Sequence, residues 1–463
     1  MRGRARLVVP GLILAAGLAA LNFVAFGFND RLQNWLHQQR IHAASYVRAN
    51  GRWDVVDGPG SRLLRTTHMA LLRSGKVLLI AGSGNSAPDF RAHRFQAGVF
   101  DPATGATRAF TVPTDVFCAG HAFLPDGRLL IAGGTTRYET LNVLIHRPGG
   151  VLTIPAGRPG DPGTLLPSGT PFVTTAGYVY RTESPIRVGG PEVRVWVTAE
   201  RTDAAISFGH ARLATEGIPA GRTAPITGVA DRLTRDTRDY AGSRAAYLVD
   251  PDTGAFTRVA DMHTPRWYPS LVTLSDGRVM AASGLDQFGR IAPGHAEIYD
   301  PATNRWTQLG GTTRPLATYP ALFTTARIGT LFFSGSNSGY GRENVGRTPG
   351  LWHWAVNRFT VVPGLRDAGM TETSDSVLLP PANRQRWIFM GGGGIGDSDK
   401  STARADIVDL RGPSPRYRPG PDLSAPTRYP NAVILPDDQT LVTGGAGDYR
   451  ANQHSALLTA SLL

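Results

Sequence analysis

The feature that most constrains this chain is a sequence unit that recurs from about residue 51 onward. Each copy has an apolar strand, a turn that is often Asp-Gly, a basic residue, four apolar residues and a small or glycine pair. Neighbouring copies start roughly 50 to 56 residues apart. A unit of this length cannot bury its apolar face alone, so the copies must pack against one another. The copies start at His68, Cys118, Trp267, Thr318 and Arg428, with a weaker one at Ser374.

A second element recurs after several of these units. It is an Asp-Pro-x-Thr turn between two alternating runs, and it follows Gly98, Ala246 and Ala296. Such turns join hairpin strands, because proline fixes one turn position and glycine or asparagine accepts a positive backbone angle at another. The chain has 55 glycines and 34 prolines and is only 18% charged, which excludes a coiled coil or a helix bundle. The sequence predicts an all-β, kelch-type β-propeller with six to eight four-stranded blades, seven being favoured.

The propeller is predicted to occupy residues 51–463. Between Arg147 and Asp261 the period blurs, and a degenerate unit at Thr170–Ser184 precedes a long basic loop. We interpret this region as one blade that carries an insertion around residues 185–245. The segment Gly51–Pro59 is predicted to be an isolated outer strand that completes the last blade and so joins the two ends of the ring.

The N-terminus predicts export. Arginines at positions 2, 4 and 6 precede Leu7–Phe28, an uncharged run of 22 residues that is long enough to cross a bilayer as a helix. The positive flank places the short tail in the cytoplasm and the body outside it. Residues 1–30 are thus expected to be an uncleaved signal anchor at the cell membrane and residues 31–50 a stem helix; cleavage of the segment would instead give a secreted protein.

Charge and cysteine content limit which partners and cross-links the chain can have. The formal net charge is +12, but the arginines are spread along the chain and lysine occurs only at Lys76 and Lys400. No basic cluster marks a nucleic-acid site, so a solvated basic surface is expected. Cys118 is the single cysteine, which excludes an intramolecular disulfide.

Two of the repeat copies contain residues that could take part in catalysis. Phe117–Gly134 reads FCAGHAFLPDGRLLIAGG, and Arg266–Gly284 reads RWYPSLVTLSDGRVMAASG. These segments resemble the paired blade motifs of the galactose oxidase and glyoxal oxidase family of copper-radical oxidases. The resemblance implies that Cys118 and Tyr268 form a covalent thioether and that the modified Tyr268 binds copper and holds a radical. The alternative is that Cys118 is a small buried hydrophobe and Tyr268 an ordinary blade aromatic.

The chain also departs from this family. The family completes its copper site with a Tyr-His pair, written R-x-Y-H-S, and with a histidine of a C-terminal β-sandwich; this sequence has neither. Its nearest match has Tyr429 followed by Pro430, which cannot ligate copper, and Tyr429 is expected to be structural. His121, His263 and His454 do not follow the family pattern and are expected to be surface or blade-packing residues. The copper site is therefore expected to be incomplete in this chain.

Two functions remain open at this point. The resemblance implies a membrane-anchored, extracytoplasmic oxidase that converts an alcohol or aldehyde, with a carbohydrate among the candidate substrates, and reduces O2 to H2O2. The alternative is a non-catalytic kelch propeller that binds a glycan or a protein at the cell envelope.

Overall fold

The computed structural model describes residues 31–53, 64–136, 148–158, 161, 163–200, 208–235, 242–286, 296–310, 314, 316–339, 346–395, 398–451 and 455–463. The chain divides into two compact units, Met1–Gly58 and Pro59–Leu463. In the first unit, residues 31–41 are helical and a further helix spans Ala44–Asn50. The predicted membrane segment Leu7–Phe28 and most of the predicted outer strand Gly51–Pro59 lie outside the described residues. Among the helices of the described ranges, none is both long enough and apolar enough to span a bilayer.

The second unit is built on antiparallel sheets that follow one another along the chain as propeller blades. The described residues form six such blades, five with four strands and the last with three. The prediction of an all-β propeller is confirmed, with one blade fewer than the favoured seven. The blade strands are β1 (His68–Leu71), β2 (Val77–Gly82), β3 (Gln96–Asp101) and β4 (Ala106–Thr111); β5 (Gly120–Phe123), β6 (Leu129–Ala132), β16 (Ala246–Val249) and β17 (Phe256–Arg258); β18 (Ser270–Thr273), β19 (Val279–Ala282), β20 (Glu297–Asp300) and β21 (Arg305–Gln308); β22 (Leu322–Thr324), β23 (Thr330–Phe333), β24 (Gly350–His353) and β25 (Arg358–Val361); β26 (Asp375–Leu379), β27 (Arg386–Met390), β28 (Ala405–Asp409) and β29 (Tyr417–Pro419); β30 (Asn431–Ile434), β31 (Thr440–Thr443) and β32 (Ser461–Leu462).

The four apolar residues of each repeat copy explain how the blades pack. They form the second strand of the blade, which is covered on both faces, so that all four positions of β6 are buried. Leu129 and Ile131 pack towards the first blade, whereas Leu130 and Ala132 pack towards the third. Side chains alternate between the two faces of a strand, so a continuous apolar run is the pattern that a strand covered on both sides requires. Corresponding clusters join the third to the fourth, the fourth to the fifth and the fifth to the sixth blade.

A separate barrel interrupts the second blade between β6 and β16. Its strands pair in the order β7, β12, β10, β9, β13 and β14, and β14 pairs again with β7, which closes a six-stranded barrel. The barrel has its own hydrophobic core around Phe172, Tyr180 and Leu213. The strands of the insertion are β7 (Pro148–Ile154), β8 (Thr164–Leu166), β9 (Pro171–Thr174), β10 (Val179–Thr182), β11 (Ile186–Val188), β12 (Val193–Ala199), β13 (Ala211–Thr215), β14 (Thr227–Ala230) and β15 (Thr234–Arg235).

These strands start well before the insertion predicted around residues 185–245. The degenerate repeat unit at Thr170–Ser184 contains β9 and β10, which form a hairpin of the barrel and not of a blade. The two settings produce the same local pattern, because any half-buried hairpin alternates apolar and polar residues around a turn. The partners that distinguish a barrel from a blade are distant in sequence.

The short helices lie in the connections. The helix Ala87–Arg91 joins β2 to β3, and 3-10 turns occupy Trp354–Val356, Ala382–Arg384 and Tyr449–Ala451.

Candidate active site at the inner ends of the blades

A shared backbone feature precedes the innermost strand of five blades. In each, a residue that is not glycine adopts a positive φ, between 46° and 61°. This conformation is uncommon for residues with a bulky side chain, and it clusters at functional sites. The five residues are Cys118, Tyr268, Tyr319, Thr373 and Tyr429.

Backbone hydrogen bonds link these residues from blade to blade. The amide of Tyr268 donates to the carbonyl oxygen of Cys118 at 3.0 Å, and the amide of Tyr319 donates to that of Tyr268 at 2.9 Å. The amide of Tyr429 donates to the carbonyl oxygen of Thr373 at 2.7 Å. The inner ends of neighbouring blades are therefore tied together through the residues whose side chains form the site.

Asp115 fixes the turn that carries Cys118. Its Oδ1 accepts hydrogen bonds from the amides of Ser83 at 2.8 Å and Phe117 at 3.0 Å. A side chain at Gly134 would clash with the carbonyl oxygen of Asp115, which explains the glycine at the end of this repeat copy. Burial raises the pKa of Asp115 above its ordinary value, partly offset by these hydrogen bonds.

Cys118 is buried against aromatic side chains. It packs with Phe117 and Trp267, and with the partly buried Tyr268 and Tyr319. Burial raises the pKa of the Cys118 thiol to about 12, although hydrogen bonds with Tyr268 and Tyr319 act in the opposite direction. The sulfur is therefore a neutral thiol at physiological pH, unsuited to the thiolate chemistry of a nucleophilic cysteine.

The aromatic rings around Cys118 are closely stacked. The ring centroid of Tyr268 lies 4.0 Å from that of Trp267, edge to face, and 4.5 Å from that of Tyr319. Burial, followed by the proximity of Cys118, raises the pKa of Tyr319 well above its ordinary value. The structure thus brings Cys118 and Tyr268 together, as the resemblance implied, and adds a second tyrosine that contacts the same sulfur.

Two histidines adjoin this cluster. Nε2 of His68 lies 2.8 Å from Oη of Tyr319, and that hydroxyl donates to the carbonyl oxygen of Ala119 at 3.0 Å. The ring centroid of His121 lies 5.2 Å from that of His68. Burial, and then the proximity of His121, lowers the pKa of His68 to about 3, and burial also lowers the pKa of His121. Both imidazoles are therefore neutral at physiological pH, the form that can bind a metal ion.

A cleft of about 560 Å³ opens beside the cluster. Tyr268 and Tyr319 line one wall, which we call the aromatic wall. A second set of lining residues, which we call the polar wall, comes from the fifth and sixth blades and the turns beside them. They are Glu372, Thr373, Asp375, Tyr429, Tyr449 and Arg450.

The polar wall rests on buried charges. Glu372 lies 3.2 Å from Arg347 and 3.6 Å from Arg428, and all three side chains are at most 5% exposed. Nε of Arg428 also donates to Oγ1 of Thr373 at 3.0 Å. Burial raises the pKa of Asp375 to about 6, although its oxygens accept hydrogen bonds from backbone amides, one of them of Ala432 in the next blade.

The other candidate residues lie in several places. Tyr429, expected to be structural, lines the cleft. His121, expected to be a surface or blade-packing residue, lies half-buried beside His68. Nε2 of His263 is 3.0 Å from the carbonyl oxygen of Trp306, and its role is to join the second and third blades. His454 lies outside the described residues.

His68 and Tyr319 were not predicted from the sequence as site residues. The repeat gives no signal for His68, because the copies, aligned on their turns, place His68 opposite Gly120 and His121 opposite Met69. Tyr319, in the segment Thr318–Pro320, occupies the position that Tyr268 has in its own copy.

The donor atoms at the cluster determine which metal could bind. Within the described ranges, no group of three or more His, Cys, Asp or Glu side chains is placed to hold a metal ion. A metal at the inner ends would therefore need phenol oxygens as well as imidazole nitrogens. A mixed nitrogen and oxygen donor set suits Cu(II), so the residues present fit copper.

Comparisons with known proteins agree with this fold. The chain has a TM-score of 0.53 and 17% identity to a fungal alcohol oxidase of the AA5 family solved in complex with copper, covering 85% of this chain and 62% of that one. This similarity shows that the chain has the propeller fold of that structure. No family model matches the sequence.

Sequence relatives narrow the class further. A galactose oxidase of Gibberella zeae is 25% identical over 213 residues, which are 43% of this chain and 30% of that protein. A WSC domain-containing protein of Arthroderma benhamiae is 31% identical over 138 residues, 29% of this chain and 13% of that protein. The chain thus spans less than a third of either curated relative. The match to galactose oxidase and the likeness to the fungal alcohol oxidase confirm the resemblance drawn from the F-C-x-G and R-W-Y-P motifs: the chain is galactose-oxidase-like.

Proposed function

We propose that this protein is a copper-radical oxidase that converts an alcohol or aldehyde and reduces O2 to H2O2. The observation that carries the proposal is the contact between the Cys118 thiol and Tyr268 at the inner ends of adjacent blades. It lies beside a cleft large enough for a small substrate. The activity rests on the likeness to galactose oxidase together with this contact.

The cysteine and tyrosine would first be joined. In that step the Cys118 S–H bond and a Tyr268 ring C–H bond are replaced by a C–S bond. Dioxygen accepts the released electrons and protons and becomes H2O2. A sulfur beside the phenol oxygen makes the ring easier to oxidise, so Tyr268 can supply an electron equivalent that a single metal ion cannot.

Tyr268 would hold the copper through its phenol oxygen. Bound copper supplies a one-electron redox centre and a Lewis acid for the substrate oxygen. The ring of Trp267 packs against that of Tyr268. The substrate loses two electrons and two protons, and O2 takes up the electrons and the protons to form H2O2.

The polar wall would bind the substrate. Tyr429 and Tyr449 offer aromatic faces with hydroxyl groups, and Arg450 and Asp375 offer charged hydrogen-bonding groups. Aromatic faces next to such groups suit a polyhydroxylated substrate, whose C–H faces and hydroxyls need both. We therefore place a carbohydrate among the candidate substrates.

The proposal includes the location predicted from the N-terminus. An anchor at Leu7–Phe28 would keep the body outside the cytoplasm. Protease added to intact cells would then degrade the body, whereas protection until lysis would contradict this location.

Peroxide formation tests the function. The full chain is loaded with Cu(II) and supplied with O2 and a panel of primary alcohols, small aldehydes and sugars. We expect H2O2 with at least one substrate, none with Tyr268→Phe, and wild-type rates with Tyr178→Phe, a matched change in the barrel. Absence of peroxide together with oligosaccharide binding would instead favour the non-catalytic binding propeller.

A further inference from the structure

Among the described residues, two histidines lie beside the aromatic rings around Cys118, one in the first blade and one in the second. His68 lies in the innermost strand β1, where it pairs with Ile80, and His121 lies in the innermost strand β5, where it pairs with Ile131. Their rings meet edge to face at 5.2 Å. An imidazole that binds a metal through one nitrogen has its ring centre about 3 Å from the ion, so two rings on one ion lie about 4 to 6 Å apart. The observed separation falls in this range.

The distance between His68 and Tyr319 also equals that between two ligands of one metal ion. Nε2 of His68 and Oη of Tyr319 are 2.8 Å apart, although the residues are 251 positions apart in sequence. Two ligands at right angles around an ion, with bonds of about 2.0 Å, are also separated by about 2.8 Å. A metal could therefore replace the bridging proton with little movement of either side chain.

Tyr268 brings a second phenol to the same place. Its ring lies 4.5 Å from that of Tyr319, and both contact Cys118. The cluster thus offers imidazole nitrogens and phenol oxygens from the first four blades. Nitrogen and oxygen donors in a tetragonal arrangement favour Cu(II) among the common divalent metals.

We propose that His68, His121 and Tyr319 bind Cu(II) together with Tyr268 at the inner ends of the blades. The ligands come from the first, second, third and fourth blades and do not depend on a Tyr-His motif. The inference rests on the proposed function for the choice of copper. It differs from that proposal in assigning the ligands.

Copper binding by variants tests the assignment. The full chain is purified without a polyhistidine tag and titrated with Cu(II) against a competing chelator, and the bound ion is examined by electron paramagnetic resonance. We expect His68→Gln and His121→Gln each to lower the affinity by at least about tenfold and to reduce the nitrogen hyperfine structure. Tyr319→Phe should lower the affinity and leave the nitrogen couplings in place. The control is His210→Asn, an exposed histidine of the barrel that should change neither quantity.

The outcomes separate this inference from the proposed function. Wild-type affinity and an unchanged spectrum in both histidine variants would overturn the ligand assignment, even if the wild-type protein forms peroxide. Loss of copper in these variants supports the assignment, even if the wild-type protein forms no peroxide with any substrate. A wild-type chain that binds no Cu(II) would overturn the assignment as well. Thermal unfolding of each variant shows whether a loss reflects misfolding.

Discussion

The two walls of the cleft are built on the same backbone feature and have different chemistry. A positive φ before an innermost strand is shared by Tyr268 and Tyr319 on one wall, by Cys118, which packs against both, and by Thr373 and Tyr429 on the other wall. On the aromatic wall, rings pack against Cys118, and the imidazole of His68 contacts Tyr319. On the polar wall, the residues with a positive φ rest on the buried charges of Glu372 and its arginines. The propeller scaffold fixes where a side chain is presented, and the residue at that position determines what it can do.

Tyr268 and Tyr429 have similar positions and different surroundings. Both precede a proline in a repeat copy, and both line the cleft. Tyr268 lies against Cys118, whereas Tyr429 lies near the guanidinium of Arg428. Only the first has a sulfur with which it could be joined.

The largest expected effect is the loss of oxidase activity on the aromatic wall. Tyr268→Phe and Cys118→Ala should each reduce peroxide formation to the level of a protein-free blank, because the radical-bearing group cannot form. Tyr429→Phe should leave the mass of the cross-linked peptide unchanged. Peroxide release by Tyr268→Phe above the blank would place the oxidising group elsewhere.

For the free energy of unfolding, we expect the larger loss from a substitution on the polar wall and the smaller loss from one beside the aromatic wall. Glu372→Ala leaves Arg347 and Arg428 as buried charges without their carboxylate and should lower the free energy of unfolding by about 3–5 kcal/mol. Cys118→Ala removes one buried atom and should cost about 1 kcal/mol. Urea unfolding of both variants measures the difference. A greater loss for Cys118→Ala would mean that the aromatic wall, and not the ion cluster, holds the inner ends together.

A smaller effect is expected from pH. Burial raises the pKa of Asp375 to about 6, so the folded protein takes up this proton at higher pH than the unfolded chain does. The contribution of Asp375 to the free energy of unfolding is therefore fully present below about pH 4 and is lost as the pH rises to about 6. This loss is about 3 kcal/mol at most. In metal-free protein, Asp375→Asn should remove this slope from the free energy of unfolding. An unchanged slope would show that Asp375 is ionised throughout the range.

The smallest effect concerns substrate binding. Arg450 lines the cleft on the polar wall, over the ring of Tyr449. Arg450→Ala should raise KM by about tenfold, the worth of one charge-assisted hydrogen bond, with little change in kcat. An effect on kcat alone would assign Arg450 to the chemical step. It would contradict the assignment of substrate binding to the polar wall and of oxidation to the aromatic wall.

Much of the fold could be predicted because its signals are local. The Asp-Gly turns and the four apolar residues of each copy are consecutive in sequence, and they indicate a strand covered on both faces. The barrel was not predicted, because its closure depends on the pairing of β7 with β12 and β14, far apart along the chain. The hairpin of β9 and β10 has the same alternation that a blade would have.

The site was predicted in part for the same reason. Cys118 and Tyr268 stand in short motifs at the starts of two copies, so sequence alone paired them. The approach of His68 to Tyr319 depends on how many blades separate them and how the blades are angled. No local pattern encodes that contact.

The most direct test of the account is peptide mapping of the protein after exposure to Cu(II) and O2. We expect one joined species that contains Cys118 and Tyr268 and is lighter than the sum of the two peptides by the mass of the two lost hydrogens. We also expect this species to be missing when copper is withheld. Recovery of both peptides in free form after full copper loading would contradict the claim that the aromatic wall is an oxidase centre.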